Sequence, residues 1–266
     1  MKRSSLLIGL LLVTATALSL AVGTTAARSA AAQPSGAPKL VVILVVDQLR
    51  ADYLDRYGTG FTGGLRRLME KGAWWTEAAF PYLNTVTCAG HATIGTGAFP
   101  YRHGMVLNTW YDREANAPTT CTEDERARNV SYNGLEDGEG HSAHRMRVRP
   151  LGEQIQRDGG RAVSLSLKPR SSIPLAGNRA EAVVWFDDRG GWSTSSAYAS
   201  RPVPEIQRFV DANPITVDYA KVWERTQDAS AYQGEDAAKG EGTTSGWTQS
   251  FPHPLGAPAG TPDGIF

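Results

Sequence analysis

The sequence predicts an α/β fold with a mainly parallel central sheet flanked by helices. Three observations carry that expectation. Leu40–Val46 is an unbroken apolar run rich in β-branched residues, the pattern of a parallel strand covered on both faces. Strand-like runs alternate with helix-length amphipathic stretches, as βαβ units require. Two of the runs end in charge, at Asp47 and at Lys168 with Arg170, and open α/β sheets gather ligands at the carboxyl ends of their strands.

The elements follow in order. Lys2 and Arg3 precede an apolar stretch, Leu6 to Val22, diluted by Thr14, Thr16 and Ser19, and then "TTAARSAAAQ". This reads as a secretory signal peptide over 1–32, cleaved after Ala32 or, alternatively, Ala27. An uncleaved anchor is the competing reading, since the run is near the length of a membrane span. No later segment is long and apolar enough to span. Residues 33–38, "QPSGAP", form a linker. The Leu40–Val46 strand comes next. In "GGLRRLMEKGAWWTEAAF" a helix turns Leu65, Leu68 and Met69 inward, stops at Gly72 and gives way to a strand. Residues 112–147, acidic then basic, are expected to be loop outside the sheet. Leu151–Arg157 is helical, Gly159-Gly160 ends it, and Ala162–Leu167 is a buried strand. "AEAVVWFDDRGG" adds a strand, and "PEIQRFVDANP" a helix opened by Pro204 and stopped by Pro214. Residues 227–266 lose periodicity and turn Gly-, charge- and then Pro-rich.

The 266 residues carry 27 basic and 27 acidic side chains, with a pI near 7. No polyanion or nucleic-acid-binding surface follows from such a balance, so any phosphate chemistry must be local. The two cysteines, Cys88 and Cys121, can pair in an exported chain or stay as buried thiols.

Thr87 stands just before a helix read over "CAGHATIGTG". A hydroxyl there meets unpaired N–H groups and the positive end of the helix dipole, which favour anions. It reads as a nucleophile or as an ordinary N-cap. Asp47 reads equally as a metal-holding carboxylate or a helix cap. Asn108, in "MVLNTWYD", offers an amide near a strand end. Lys168 and Arg170 offer two cations whose i, i+2 spacing on an extended segment places them on one face, able to hold non-bridging phosphoryl oxygens.

Taken together, "VVILVVDQLRADYL", "TVTCAGHATIGTGAFPYRHGM", "NTWYD" and "LKPRSSI", in this order, resemble the phosphate-irrepressible alkaline phosphatases, relatives of the type I phosphodiesterases/nucleotide pyrophosphatases, over roughly residues 39–260. The resemblance implies an alkaline phosphatase-like fold and an exported, periplasmic or extracellular, zinc-dependent phosphomonoesterase acting on small phosphate monoesters. Within it Thr87 matches the nucleophile, phosphorylated in the reaction and also a zinc ligand, and Asp47 matches a zinc ligand. Asn108 matches the amide on a phosphoryl oxygen, and Lys168 and Arg170 match the pair that marks monoester specificity. His91 and His103 have no such role in the pattern and read as satisfied structural histidines. Cys88 beside Thr87 suggests a sulfatase, but "CAGHA" lacks the arginine a sulfatase motif needs.

The family's remaining zinc ligands, a D-x-x-x-H segment, a D-H pair and a lone His, do not occur after Arg170; His253 lacks their context. Two ligands cannot assemble a two-metal site with its ~4 Å spacing. The expectation is therefore that residues 39–266 are the N-terminal portion of a longer enzyme and bind zinc poorly alone. The competing functions are a diesterase or nucleotide pyrophosphatase, which Lys168 and Arg170 disfavour, and a non-catalytic fragment.

Overall fold

The computed structural model describes residues 38–134, 138–187, 190–219, 221–232, 234–240, 242–243 and 247–255. The expected signal peptide and residues 33–37 of the linker lie outside them. In chain order the described helices and strands are α1 (Asp52–Tyr57), α2 (Gly64–Lys71), α3 (Thr87–Thr96), α4 (Pro100–His103), β1 (Thr109–Asp112), β2 (Ala117–Thr120), β3 (Glu123–Ser131), β4 (Glu139–His141), α5 (Leu151–Arg157), β5 (Val163–Ser166), α6 (Pro169–Ala176), β6 (Ala182–Phe186), β7 (Trp192–Ser195), α7 (Pro204–Ala212), β8 (Val222–Trp223) and β9 (His253–Pro254). The chain divides into two units, Met1–Tyr53 and Leu54–Phe266.

Proline and glycine set many of the boundaries. α4, α6 and α7 open on Pro100, Pro169 and Pro204, whose fixed φ and missing N–H suit the first helical position. α3 and α4 close on Gly97 (φ 66°) and Gly104 (φ 84°), in the left-handed region open to glycine at little cost.

In the second unit a five-stranded sheet runs β4-β3-β7-β6-β5. β6 lies inside it, between β7 and β5, and is buried at every position, as the continuous run "AVVWF" requires. β5 and β6 pair parallel, with α6 in the crossover between them, and β6, β7, β3 and β4 pair antiparallel in turn. The core against this sheet is Ile173, Ala176, Val183 and Trp185 with Ala143, and a second cluster gathers Tyr132, Val184 and Val210. Burying each large side chain contributes ~1.5–3 kcal/mol. A third cluster, Cys88, Ala92, Met105 and Cys121, roots α3. α3 also packs closely on α6: a Cβ at Gly95 would lie 2.6 Å from the Pro174 carbonyl oxygen.

Several sequence expectations change. The α/β class holds, but the sheet is mixed, because β7, β3 and β4 join it by antiparallel pairing. β3 and β4 lie in the stretch expected to be loop. Their buried positions include Asp124 and Asn129, so the strand carries no hydrophobic alternation to read; Asp124 is satisfied instead by Arg126 and Ser142. β5 is an edge strand with Val163 and Leu165 exposed, not a buried one. No strand follows Gly72, and Leu65 and Leu68 of α2 face outward.

In the first unit, Leu40–Val46 forms no strand and is largely exposed, Leu44 by 81%. A strand buried on both faces exists only if ladders form on its edges, and this run pairs with no described strand. Its end is a turn in which Gln48 takes φ 61° and its N–H donates to Asp47 Oδ1 at 3.1 Å.

Candidate active site

The start of α3 is built by residues distant in sequence. Val86 holds the cap position without a side-chain cap, and Thr87, half-buried, is the first helical residue rather than the cap. The N–H of Cys88 has no acceptor within its helix. It donates to Asn108 Oδ1 at 2.9 Å, twenty residues away. Asn108, in the segment just before β1, thus caps α3 remotely. Because a backbone N–H can only donate, this bond fixes which way the amide is turned: its oxygen faces Cys88 and its NH2 group, with two donors, faces away. Cys121, in the β2–β3 turn, donates its N–H to Asn108 O at 2.9 Å. A disulfide joins Cys88 to Cys121, Cα–Cα 6.6 Å.

The histidines near Thr87 are occupied. His91 Nδ1 lies 2.8 Å from Thr87 O, and since a carbonyl only accepts, Nδ1 carries the proton. The Met105 N–H donates to His103 Nδ1 at 3.1 Å, so His103 Nε2 carries the proton toward Thr93 Oγ1 at 3.1 Å. Burial lowers the His103 pKa, which keeps it neutral. These are the satisfied structural histidines expected.

Lys168 and Arg170 stand at the start of α6. Lys168 is extended (φ −148°, ψ 142°) in the cap position, and Arg170 lies in the first helical turn after Pro169. The i, i+2 argument for one strand face therefore does not apply, because the chain turns helical at Pro169. The fold brings them together by another route: Asn108, Lys168 and Arg170 line one cavity of about 240 Å³ with Cys121, Glu139, His141, Trp185 and Asp187. Arg170 lines it, and the Nε of that side chain is buried with no hydrogen-bond partner among the described residues. A buried guanidinium donor without an acceptor is costly.

Glu139, His141 and Asp187 line this cavity and were missed by sequence reasoning. His141 Nδ1 meets Thr122 Oγ1 at 3.2 Å, and its ring stands edge-on to Trp185, centroids 5.7 Å apart. Asp187 accepts from Gly191 N at 3.1 Å and Ser193 Oγ at 2.7 Å. The rule that singled out Asp47, a carboxylate after an apolar run, also points to Asp187. Glu139 and His141 had no such signal, sitting in a stretch read as loop. Asp47 belongs to the first unit. Among the described residues no three or more His, Cys, Asp or Glu side chains gather as a metal site. The residues described here therefore do not by themselves fit a two-metal centre.

A family model described as type I phosphodiesterase / nucleotide pyrophosphatase matches residues 41–241. The chain is 34% identical to alkaline phosphatase PafA of Elizabethkingia meningoseptica, over 81% of this chain and 41% of that protein. It is also 34% identical to alkaline phosphatase PhoK of a Sphingomonas species, over 71% of this chain and 34% of that one. A crystal structure of wild-type PafA superposes with a TM-score of 0.73 at 32% identity, over 79% of this chain and 42% of that chain. The chain spans about a third to two fifths of the length of these curated relatives. The α3 start, the Asn108 amide and the cavity lined by Lys168 and Arg170 thus sit on a fold shared with alkaline phosphatases, and the chain belongs to the type I phosphodiesterase / nucleotide pyrophosphatase family.

Proposed function

We propose that this chain carries the nucleophile and the phosphoryl-binding half of a phosphate monoester hydrolase. Thr87 Oγ attacks phosphorus, an O–P bond forms to Thr87, and the P–O bond to the alcohol breaks. Water then cleaves the phospho-threonine. The Asn108 NH2, Lys168 and Arg170 hold the non-bridging oxygens, where charge is densest in the transition state. The observation that carries this reading is the single cavity lined by Asn108, Lys168 and Arg170. The position of Thr87 at the positive end of α3 supports it.

The proposed metal is zinc, with Asp47 and Thr87 as proposed ligands on the sequence pattern alone. Export through the N-terminal segment is part of the proposal. No described helix is long and apolar enough to cross a membrane.

The test is p-nitrophenyl phosphate hydrolysis at alkaline pH with zinc supplied, by the full-length protein and its Thr87→Ala and Arg170→Ala variants. Thr87→Ala abolishes turnover, and Arg170→Ala lowers kcat/KM by ~10²- to 10³-fold, the loss typical of one transition-state donor. Retained activity in Thr87→Ala refutes the reading. The family description also names diesterases; higher kcat/KM on a bis-aryl phosphate than on the monoester would favour that alternative.

A further inference from the structure

Asn108 is held at two points by the two halves of one disulfide. Its side-chain oxygen accepts from Cys88 N and its main-chain oxygen from Cys121 N, both at 2.9 Å, and Cys88 is bonded to Cys121. Both cysteines are fully buried, in one cluster with Ala92 and Met105. The amide has two nearly isosteric orientations. In one, its oxygen accepts from Cys88 and its NH2, turned away, is left to donate to an anion. In the other, the NH2 is turned to Cys88 and the oxygen left in its place repels an anion. The Cys88 N–H, able only to donate, selects the first. That selection holds only while the segment before β1 stays against the start of α3. Asn108 and Cys88 are twenty residues apart, so a lone hydrogen bond must oppose the entropy of closing that loop.

We propose that the Cys88–Cys121 disulfide is a positioning pair that keeps the Asn108 amide turned toward the phosphoryl group beside Thr87. The bond ties α3 to the β2–β3 turn, and that turn holds the Asn108 main chain. The proposal rests on the phosphoryl-transfer reading above. It assigns the disulfide an effect on turnover distinct from its effect on stability, exerted through Asn108.

A double-mutant cycle in the full-length protein tests it: Cys88→Ala/Cys121→Ala against Asn108→Ala, read as kcat/KM on p-nitrophenyl phosphate, with Tm alongside. With Asn108 present, loss of the disulfide lowers kcat/KM by ~10- to 100-fold, the scale of a misplaced catalytic group. In the Asn108→Ala background the further loss is below about 2-fold, because nothing remains to position. Equal losses in both backgrounds overturn the proposal and leave the disulfide a brace for the fold. Amide hydrogen exchange reads the geometry without catalysis. Without the disulfide the N–H groups of residues 88 and 121 exchange at least ~10-fold faster while those of β6 do not; unchanged protection at both overturns the proposal. If the alanine pair does not fold, the wild-type chain reduced by a water-soluble phosphine replaces it. The phosphine donates two electrons and becomes the phosphine oxide with oxygen from water, and the disulfide becomes two thiols. Hydrolysis that survives Thr87→Ala would refute the phosphoryl-transfer reading instead, and the exchange result alone would then decide whether the disulfide holds Asn108.

Discussion

Gly95 lies where the helix that begins at Thr87 meets the helix that begins at Lys168 and Arg170, so Gly95→Ala perturbs the packing that sets the two halves of the site. A Cβ there would stand 2.6 Å from Pro174 O, 3.2 Å from Leu175 Cα and 3.3 Å from the Pro150 Cβ. Ordinary contact begins near 3.4 Å, so α6 must retreat by about 0.8 Å from its carbonyl. The nearest two obstacles are backbone, which cannot rotate away as a side chain could. Overpacking of this kind costs ~1–3 kcal/mol, and backbone obstacles place it at the upper end. Alanine recovers ~1 kcal/mol of helix propensity at a helical glycine. The net is about 2 kcal/mol destabilising, or a Tm lowered by ~4–8 °C for a chain of this size. Thermal unfolding followed by circular dichroism measures it. Gly64→Ala in α2 is the comparison: its Cβ meets nothing within 4 Å, so Tm holds or rises slightly. A Gly95→Ala chain as stable as the parent would refute the claim that close α3–α6 packing positions the site.

Two further outcomes follow from the same structure. Acid weakens the fold in two steps: burial lowers the pKa of His103 and His144, so stability is lost as pH falls through ~6.5 and the unfolded chain takes up protons first. Asp124, held far below the usual carboxylate range chiefly by the Arg126 guanidinium, and also by Ser142 and His144, stabilises above pH ~4 and loses that contribution below it; Asp124→Asn lowers Tm at pH 7 and flattens the lower acid limb, which a pH series of melting curves reads. At the outer edge of β5, Leu165 is 67% exposed on a strand whose other side has no described neighbour, a template for edge pairing; Leu165→Lys lowers self-association in light scattering while changing stability by less than about 0.5 kcal/mol.

Much of the α/β organisation was legible in the sequence because its signals are local. "AVVWF" is buried at every position as β6, and Leu151–Arg157 and Pro204–Ala212 are helices bounded where the Gly and Pro residues stand. The same local signals misled at Leu40–Val46. Hydrophobicity there records an affinity for burial, but a strand exists only when a neighbour supplies hydrogen bonds, and no described strand does. The opposite failure occurred at β3, where buried Asp124 and Asn129 are satisfied by hydrogen bonds, so a sheet strand has the composition of a loop.

The candidate site divides in the same way. The order of amino acids already carries the residue types: a hydroxyl at a helix start, an amide before a strand, and a lysine and arginine after another strand, in an order that resembles one family. It also determined that overall charge attracts no polyanion, since 27 positive and 27 negative side chains cancel. The folded chain decided how the amide, the lysine and the arginine come to line one cavity. It set Lys168 and Arg170 at a helix start rather than along one strand, and it buried Arg170 Nε without a partner among the described residues. It brought Glu139, His141 and Asp187 to the same cavity, and it turned the Asn108 amide by a bond to Cys88. Those outcomes depend on contacts between residues tens of positions apart, such as Cys88 with Cys121. Side-chain periodicity reports only on neighbours within a turn of helix or a pleat of strand, so it carries no record of them.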